Sequence, residues 1–254
     1  MVRLFQILNM ISLVATIAVN YLSNTGVFNG ETMSSISAKF QNLFTPAGYA
    51  FSIWGLIYFG LLGFVIYYGP FTKNTDVKEK TVENIGWWFV ISCIANCLWI
   101  IAWLYEYTLL SIPIMVVLFI SLLKIIQNNQ NIIESGDVKT AVFFRWPFYI
   151  YSGWISVALI ANIAAYLKKI EWAGFGISET SWTITLFIIA AMIHLYMVWK
   201  MNMSVFGLVS VWALIAIAVA NQDSNPTVYI YAVITAIFIL LNIVIKVLKK
   251  NTVF

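Results

Sequence analysis

The sequence predicts an all-α polytopic membrane protein, and three observations predict it. Hydrophobic types make up 62% of the 254 residues, against about 45–50% in an ordinary soluble domain. Charged types make up 9%, where about 25% is usual; the chain lacks the polar groups needed to cover a water-soluble surface. The apolar residues fall in eight runs, each near the roughly 20 residues that a helix needs to cross a bilayer core about 30 Å thick. Runs of that length are too long for barrel strands, and only helices satisfy their own backbone groups in lipid.

The first run, Leu4–Leu22, follows Arg3 but exceeds a signal-peptide core. Asn20-Tyr21-Leu22-Ser23-Asn24 comes after it rather than a small-x-small cleavage site, so it is read as a retained span. Its Asn9, Ser12, Thr16 and Asn20 recur three to four apart and predict a polar stripe facing the bundle. Gly48–Tyr68 is the second span and Ile85–Tyr105 the third. Between them Pro70–Asn84 mixes both charge signs and reads as a solvated loop. Only Glu106–Tyr107 separates the third span from Thr108–Ile126, which predicts an antiparallel hairpin. The Asn-rich link Gln127–Thr140 leads to the fifth span, Phe143–Leu167. Pro113 and Pro147 lie inside or near the start of spans, where neighbouring helices can satisfy the freed carbonyls. Trp182–Trp199 and Ser204–Ala220 form a second hairpin across Lys200–Met203, and Thr227–Leu248 is the eighth span. Gly207, Ala213, Ala216, Ala218 and Ala220 offer small surfaces for close packing in this C-terminal part.

The net charge of +4 is read as a topology signal, with no nucleic-acid partner. Eight spans place both termini on one side. That side carries Arg3, Lys73, Lys78, Lys80, Lys124, Lys139, Arg145, Lys200, Lys246, Lys249 and Lys250. The other carries Lys39, Lys168 and Lys169. Basic residues favour the cytoplasm, so both termini are expected to be cytoplasmic.

Ionisable groups at membrane depth are the usual mark of pumps and transporters, and no Asp, Glu, Lys or Arg falls mid-span. That argues against an ion pump and against a retinal protein, which needs a mid-span lysine. No metal cluster, P-loop or dinucleotide glycine pattern is visible, so neither a metal nor a nucleotide cofactor is expected. Cys93 and Cys97 share one helical face and read as buried thiols. His194 reads as a neutral interhelical hydrogen-bond partner, with a ligand or proton-relay role as the alternative.

Aromatic residues make up 17% of the chain, with 18 Phe, 13 Tyr and 11 Trp. Trp87, Trp88, Trp172 and Trp182 resemble an interfacial belt, whereas Trp54, Trp99, Trp103, Trp154 and Trp212 are expected deeper. Asn96, Trp99 and Trp103 share one helical face, as do Tyr151, Trp154, Ala158 and Asn162. Spacing leaves two readings open: interhelical packing with Asn bonding across the bundle, or an apolar pocket with a few placed polar groups.

Three motifs carry a family resemblance. The run from Thr45-Pro46-Ala47-Gly48-Tyr49 through Phe51, Trp54 and Tyr58 resembles the start of the second helix of the TspO/MBR family, the tryptophan-rich sensory or translocator proteins. Asn96 and Trp99, with Trp103, resemble its third-helix motif, and Pro147-Phe148 with Trp154, Ala158 and Asn162 its fifth-helix motif. Ala47 stands where the family has a second proline, Tyr49 where it has Trp, and Trp103 where it has Phe. Pro147 precedes Trp154 by seven residues, a longer spacing than the family's.

The resemblance implies a five-helix core over residues 1–168, with three additional helices in 169–254. It implies an integral membrane receptor or translocator whose interhelical pocket binds a planar hydrophobic ligand, porphyrin (tetrapyrrole) or sterol-like. The implied lining is Phe51, Trp54, Asn96, Trp99, Trp103, Tyr151, Trp154, Ala158 and Asn162, beneath a loop at about Ser23–Thr45. A homodimer is also implied, unless the last three helices replace that contact. Photo-oxidative degradation of a bound porphyrin, or a scaffold without its own ligand, are the alternative functions.

Overall fold

The computed structural model describes residues 1–135 and 137–250. Gly136 of the Asn-rich link and residues 251–254 lie outside the described residues, as do the side chains of Ser135 and Lys250. Among the described residues the secondary structure is helical throughout. Seven helical segments are long and apolar enough to cross a membrane. The protein is an all-α polytopic membrane protein. The chain divides into two compact units, one of Met1–Ile36 with Trp54–Ser152, the other of Ser37–Ile53 with the residues from Gly153 onward.

The first unit holds α1 (Val2–Leu22), α2 (Met33–Lys39, which continues into the second unit), α3 (Ile53–Tyr67), α4 (Asp76–Ile85), α5 (Trp88–Leu104), α6 (Thr108–Asn128), the short α7 (Gln130–Ser135) and α8 (Val138–Thr140), and the start of α9 (Trp146–Lys169). The helix pairs α1–α5 and α5–α6 pack together, and α4 packs on α1 and α6. Gln6, Asn9 and Thr16 are buried, so the polar stripe of α1 turns inward. Gln6 donates to the Tyr68 carbonyl at 2.9 Å, and Cys97 Sγ lies 3.7 Å from Thr16 Oγ1. Phe64, Phe89, Phe144 and Phe148 form a fully buried aromatic core. A Cβ at Gly60 would come within 3.2 Å of the Pro147 ring, so α3 and the first turn of α9 cross closely. Pro147 lies inside a helical run that continues without a break from Val138 to Lys169, so its missing N–H leaves an interior helical bond unmade. A π-helical turn at Ala141–Arg145 precedes it.

The third span differs from its expected form. It is interrupted at Gly86 (φ 50°), and α4 and α5 meet there at a bend of 48°. The residues before the bend belong to the stretch expected as a solvated loop, yet they form a capped helix. Thr75 accepts from the Lys78 N–H, and Asp76 and Glu79 lie in the first turn, complementing the helix dipole. Thr81, Val82 and Ile85 are buried, so α4 is amphipathic. The charged residues hid this helix, although its cap and the apolar spacing were legible. What remains of the span, α5, has 17 residues, the lower limit for crossing.

The second unit holds the strap Ser37–Ile53, the remainder of α9, and α10 (Glu179–Lys200), α11 (Ser204–Asn221) and α12 (Pro226–Lys250). The last three helices pack pairwise. Gly153 fits against α11: a Cβ there would lie 2.9 Å from the Phe206 carbonyl oxygen and 3.1 Å from Val209 Cβ. His194 is fully buried and bridges helices as expected, with Nε2 at 3.2 Å from Ser156 Oγ and Nδ1 at 2.8 Å from the Ala190 carbonyl. Trp199 is held by Asn242 at 3.1 Å, and Lys246 donates to its carbonyl at 3.0 Å.

The strap is tied to α10 and α11. Leu43 N–H donates to Glu179 Oε1 at 3.2 Å, and Asn221 Nδ2 donates to the Leu43 carbonyl at 3.1 Å. Trp212 Nε1 donates to the Ala50 carbonyl at 3.3 Å, and Phe44 packs on Phe187. Ala47 N–H donates to the Ala216 carbonyl at 3.0 Å. Proline could not make that last bond, which gives a physical reason for alanine at this point of the motif. The backbone of Ala47 (φ −57°, ψ 146°) suits proline, but in Ala47→Pro the ring Cδ would stand where the N–H points, against the Ala216 carbonyl oxygen, so the bond is lost and the strap is pushed away. It is expected to lower stability by more than the about 1 kcal/mol that one hydrogen bond is worth, as read by thermal unfolding in detergent. An unchanged or raised midpoint would show that this bond does not hold the strap.

Candidate functional site

The nine residues expected to line a pocket fall into two groups, one in each unit. In the first unit Trp54 projects from the first turn of α3. Its indole stacks on Trp99 of α5, with ring centroids 6.1 Å apart and planes 29° apart. Trp99 in turn stacks on Trp103, four residues along the same face, at 6.5 Å and 27°. Tyr58, one turn beyond Trp54, stacks on it at 5.6 Å and 20°, and Tyr151 meets Trp54 edge-on at 5.8 Å. These are the offset and edge-to-face arrangements that aromatic quadrupoles favour. Trp99 and Trp103 are buried and Trp54 is half-buried.

A polar line runs beside the stack. Asn20 of α1 donates to Asn96 Oδ1 at 2.9 Å, and Asn96 Nδ2 donates to Tyr151 Oη at 2.8 Å. Asn96 is fully buried, and both ends of its carboxamide have protein partners, as a buried amide requires. Tyr58 Oη is buried and has no hydrogen-bond partner among the described residues. The expected lining included neither Asn20 nor Tyr58. Asn20 was visible as the last member of the polar stripe, and Tyr58 as the residue one helical turn after Trp54.

In the second unit Phe51 meets Trp154 edge-on, at 6.1 Å and 83°. Trp154 and Asn162 are buried and Ala158 is half-buried; the three follow one another along one face of α9. The same unit contains a cavity of about 260 Å³ at the ends of α9, α10 and α11, and none of the nine residues lines it. Among the described residues no group of three or more His, Cys, Asp or Glu could hold a metal ion.

These aromatic helices define a tryptophan-rich, all-helical membrane protein. A sequence model of the family described as TSPO-like protein matches residues 6–245, and the chain belongs to that family. The match extends across α10 and α11 and through most of α12, so the last three helices fall within the family's pattern. No curated protein and no solved structure matches the chain.

Proposed function

We propose that the protein is a membrane receptor or translocator for flat hydrophobic ligands, porphyrins or sterol-like molecules, bound at the Trp54–Trp99–Trp103 stack. The observation that carries this reading is the stack of indoles beside a half-buried tyrosine, Tyr58, whose buried hydroxyl is unused. Flat aromatic guests stack on indole faces, and Tyr58 Oη offers one directional hydrogen bond to a polar group on the guest. The rings already pack on one another, so a guest enters by separating two of them. Asn96 holds Tyr151 against Trp54 and thereby orients the stack. Phe51 with Trp154, Ala158 and Asn162 is a second aromatic face, tested separately by Trp154→Phe.

Tyr58→Phe gives a discriminating test. Removing an unpartnered buried hydroxyl is neutral or stabilising for the free protein. If the hydroxyl meets the guest, porphyrin affinity falls by about threefold to tenfold, the range of one neutral hydrogen bond. Fluorescence titration of porphyrin against the purified variant reads this, and an unchanged affinity removes Tyr58 from the site.

An enzyme reading is favoured by the near-parallel indoles, which could pass an electron to a photo-excited porphyrin with oxygen as the oxidant. Illumination that irreversibly bleaches the porphyrin, and fails to do so in Trp99→Phe, would support degradation. Quenching that leaves the tetrapyrrole spectrum intact supports binding alone.

We also propose that both termini are cytoplasmic. This reading counts α5 as an eighth crossing and is supported by the basic residues gathered on one side. Periplasmic- and cytoplasmic-active reporter fusions at the C-terminus check it: cytoplasmic activity with Arg3 on the same side is expected. Termini on opposite sides would mean that α5 does not cross.

A further inference from the structure

We propose that the cavity at the ends of α9, α10 and α11 binds a phosphoethanolamine group, the zwitterion that forms an aminophospholipid headgroup. It is lined by one cation, Lys168, one anion, Glu179, and the neutral polar groups of Gln41, Asn42, Thr45 and Asn221. Lys168 Nζ and Glu179 Oε2 lie 3.7 Å apart, and each side chain is about half exposed (50% and 51%). An ion pair this open is weakly held. A ligand carrying both charges replaces it by two new contacts: phosphate oxygens on the Lys168 ammonium, and a primary ammonium on the Glu179 carboxylate. Neither charge is then left alone.

The walls are fixed. Asn42 Oδ1 accepts from Phe44 N–H at 2.9 Å and Thr45 Oγ1 accepts from Asn42 N–H at 3.0 Å, which folds the strap. Glu179 accepts from Leu43 N–H, and buried Asn221 donates to the Leu43 carbonyl, which docks it. At about 260 Å³ the space is below the usual range for a drug-sized ligand, and is too small for a tetrapyrrole. A headgroup fits it.

Its depth is that of a headgroup. α9 ends at Lys169, α10 begins at Glu179 and α11 ends at Asn221, and all three are long and apolar enough to cross a membrane. Trp172 of the link between α9 and α10 gathers Phe175 of the same link and Trp182 of the first turn of α10, with centroids at 5.2 and 5.0 Å. The two indoles are amphipathic rings of the kind that settle at the membrane–water interface.

The chemistry predicts selectivity. A choline headgroup has no N–H to give Glu179, and a glycerol headgroup has no cation. Full-length protein reconstituted in vesicles of equimolar phosphatidylethanolamine and phosphatidylcholine, then extracted for native mass spectrometry, is expected to retain the ethanolamine lipid about tenfold over the choline lipid, the worth of one charge-assisted hydrogen bond. Glu179→Gln is expected to bring the ratio near one, whereas Lys168→Gln, which removes the contact to the phosphate that both lipids carry, is expected to lower the retention of both; the two positions are half-exposed. Excess soluble O-phosphoethanolamine separates the sources. Displacement of the lipid assigns the site to the zwitterion, free or lipid-borne, whereas a preference that survives it assigns the site to the membrane lipid. Equal retention in the unaltered protein, a preference that survives Glu179→Gln, or unchanged retention of both lipids in Lys168→Gln would overturn the proposal. The residues are distinct from the indole stack, so this outcome is independent of porphyrin binding.

Discussion

Trp99→Ala is expected to lower porphyrin affinity by at least about fivefold and to cost about 3 kcal/mol of stability. The affinity figure follows from stacking of a flat ring on an aromatic face, about 1–3 kcal/mol per face. Trp99 stands between Trp54 and Trp103 in the stack, so its loss separates the other two indoles. The stability figure is the lower end of the range for truncating a buried Trp. Lipid tails are as apolar as the interior, so what is lost in a bilayer is packing contact rather than shelter from water. Trp99→Phe keeps a ring and is expected to lose less of both. Thermal unfolding and porphyrin titration on the same preparations separate the two effects. A variant that is less stable but binds as tightly would make Trp99 a packing residue only.

Gly153→Val is expected to be the most damaging substitution in the second unit. Even alanine would bring a Cβ to 2.9 Å from the Phe206 carbonyl oxygen, and a backbone atom cannot rotate away as a side chain can. Overpacking of this kind costs about 1–3 kcal/mol, which exceeds the gain of up to about 1 kcal/mol from replacing a helical glycine by alanine. Valine adds two further methyl groups at the same contact. The expected result is a lowered unfolding midpoint, with Gly153→Ala intermediate. Gly55→Ala is the control: nothing lies within 4 Å of a Cβ there, so stability should hold or rise. Equal midpoints for Gly153→Val and Gly55→Ala would refute the close approach of α9 and α11.

Much of this fold was legible because the bilayer imposes a length. Apolar runs gave the helices, and the polar stripe of α1 gave its inward face. Periodicity names a face but not its partner, so the line from Asn20 through Asn96 to Tyr151, which joins residues 76 and 55 positions apart, could not be read in advance. The same limit hid the docking of the strap on α10 and α11. Ala47 was visible as a departure from the family's pattern, but its donor role depends on a carbonyl 169 residues away. The bend at Gly86 was missed because hydropathy ignores a backbone turn.

Of the expected lining, spacing correctly joined Trp99 with Trp103, and the family motifs led to Trp54 beside them. Tyr58 was passed over because it lies in the motif as an ordinary aromatic. Only its unsatisfied hydroxyl singles it out, and satisfaction is a property of the fold.

The central claim is that the indole stack of the first unit holds a flat guest. It is tested most directly by titrating protoporphyrin against folded wild type, Trp99→Ala and Trp182→Phe, the last an indole in the first turn of α10 in the other unit. Tight binding by wild type and Trp182→Phe, with loss of at least about fivefold in Trp99→Ala, is the predicted result. Equal affinity in all three folded proteins would contradict it.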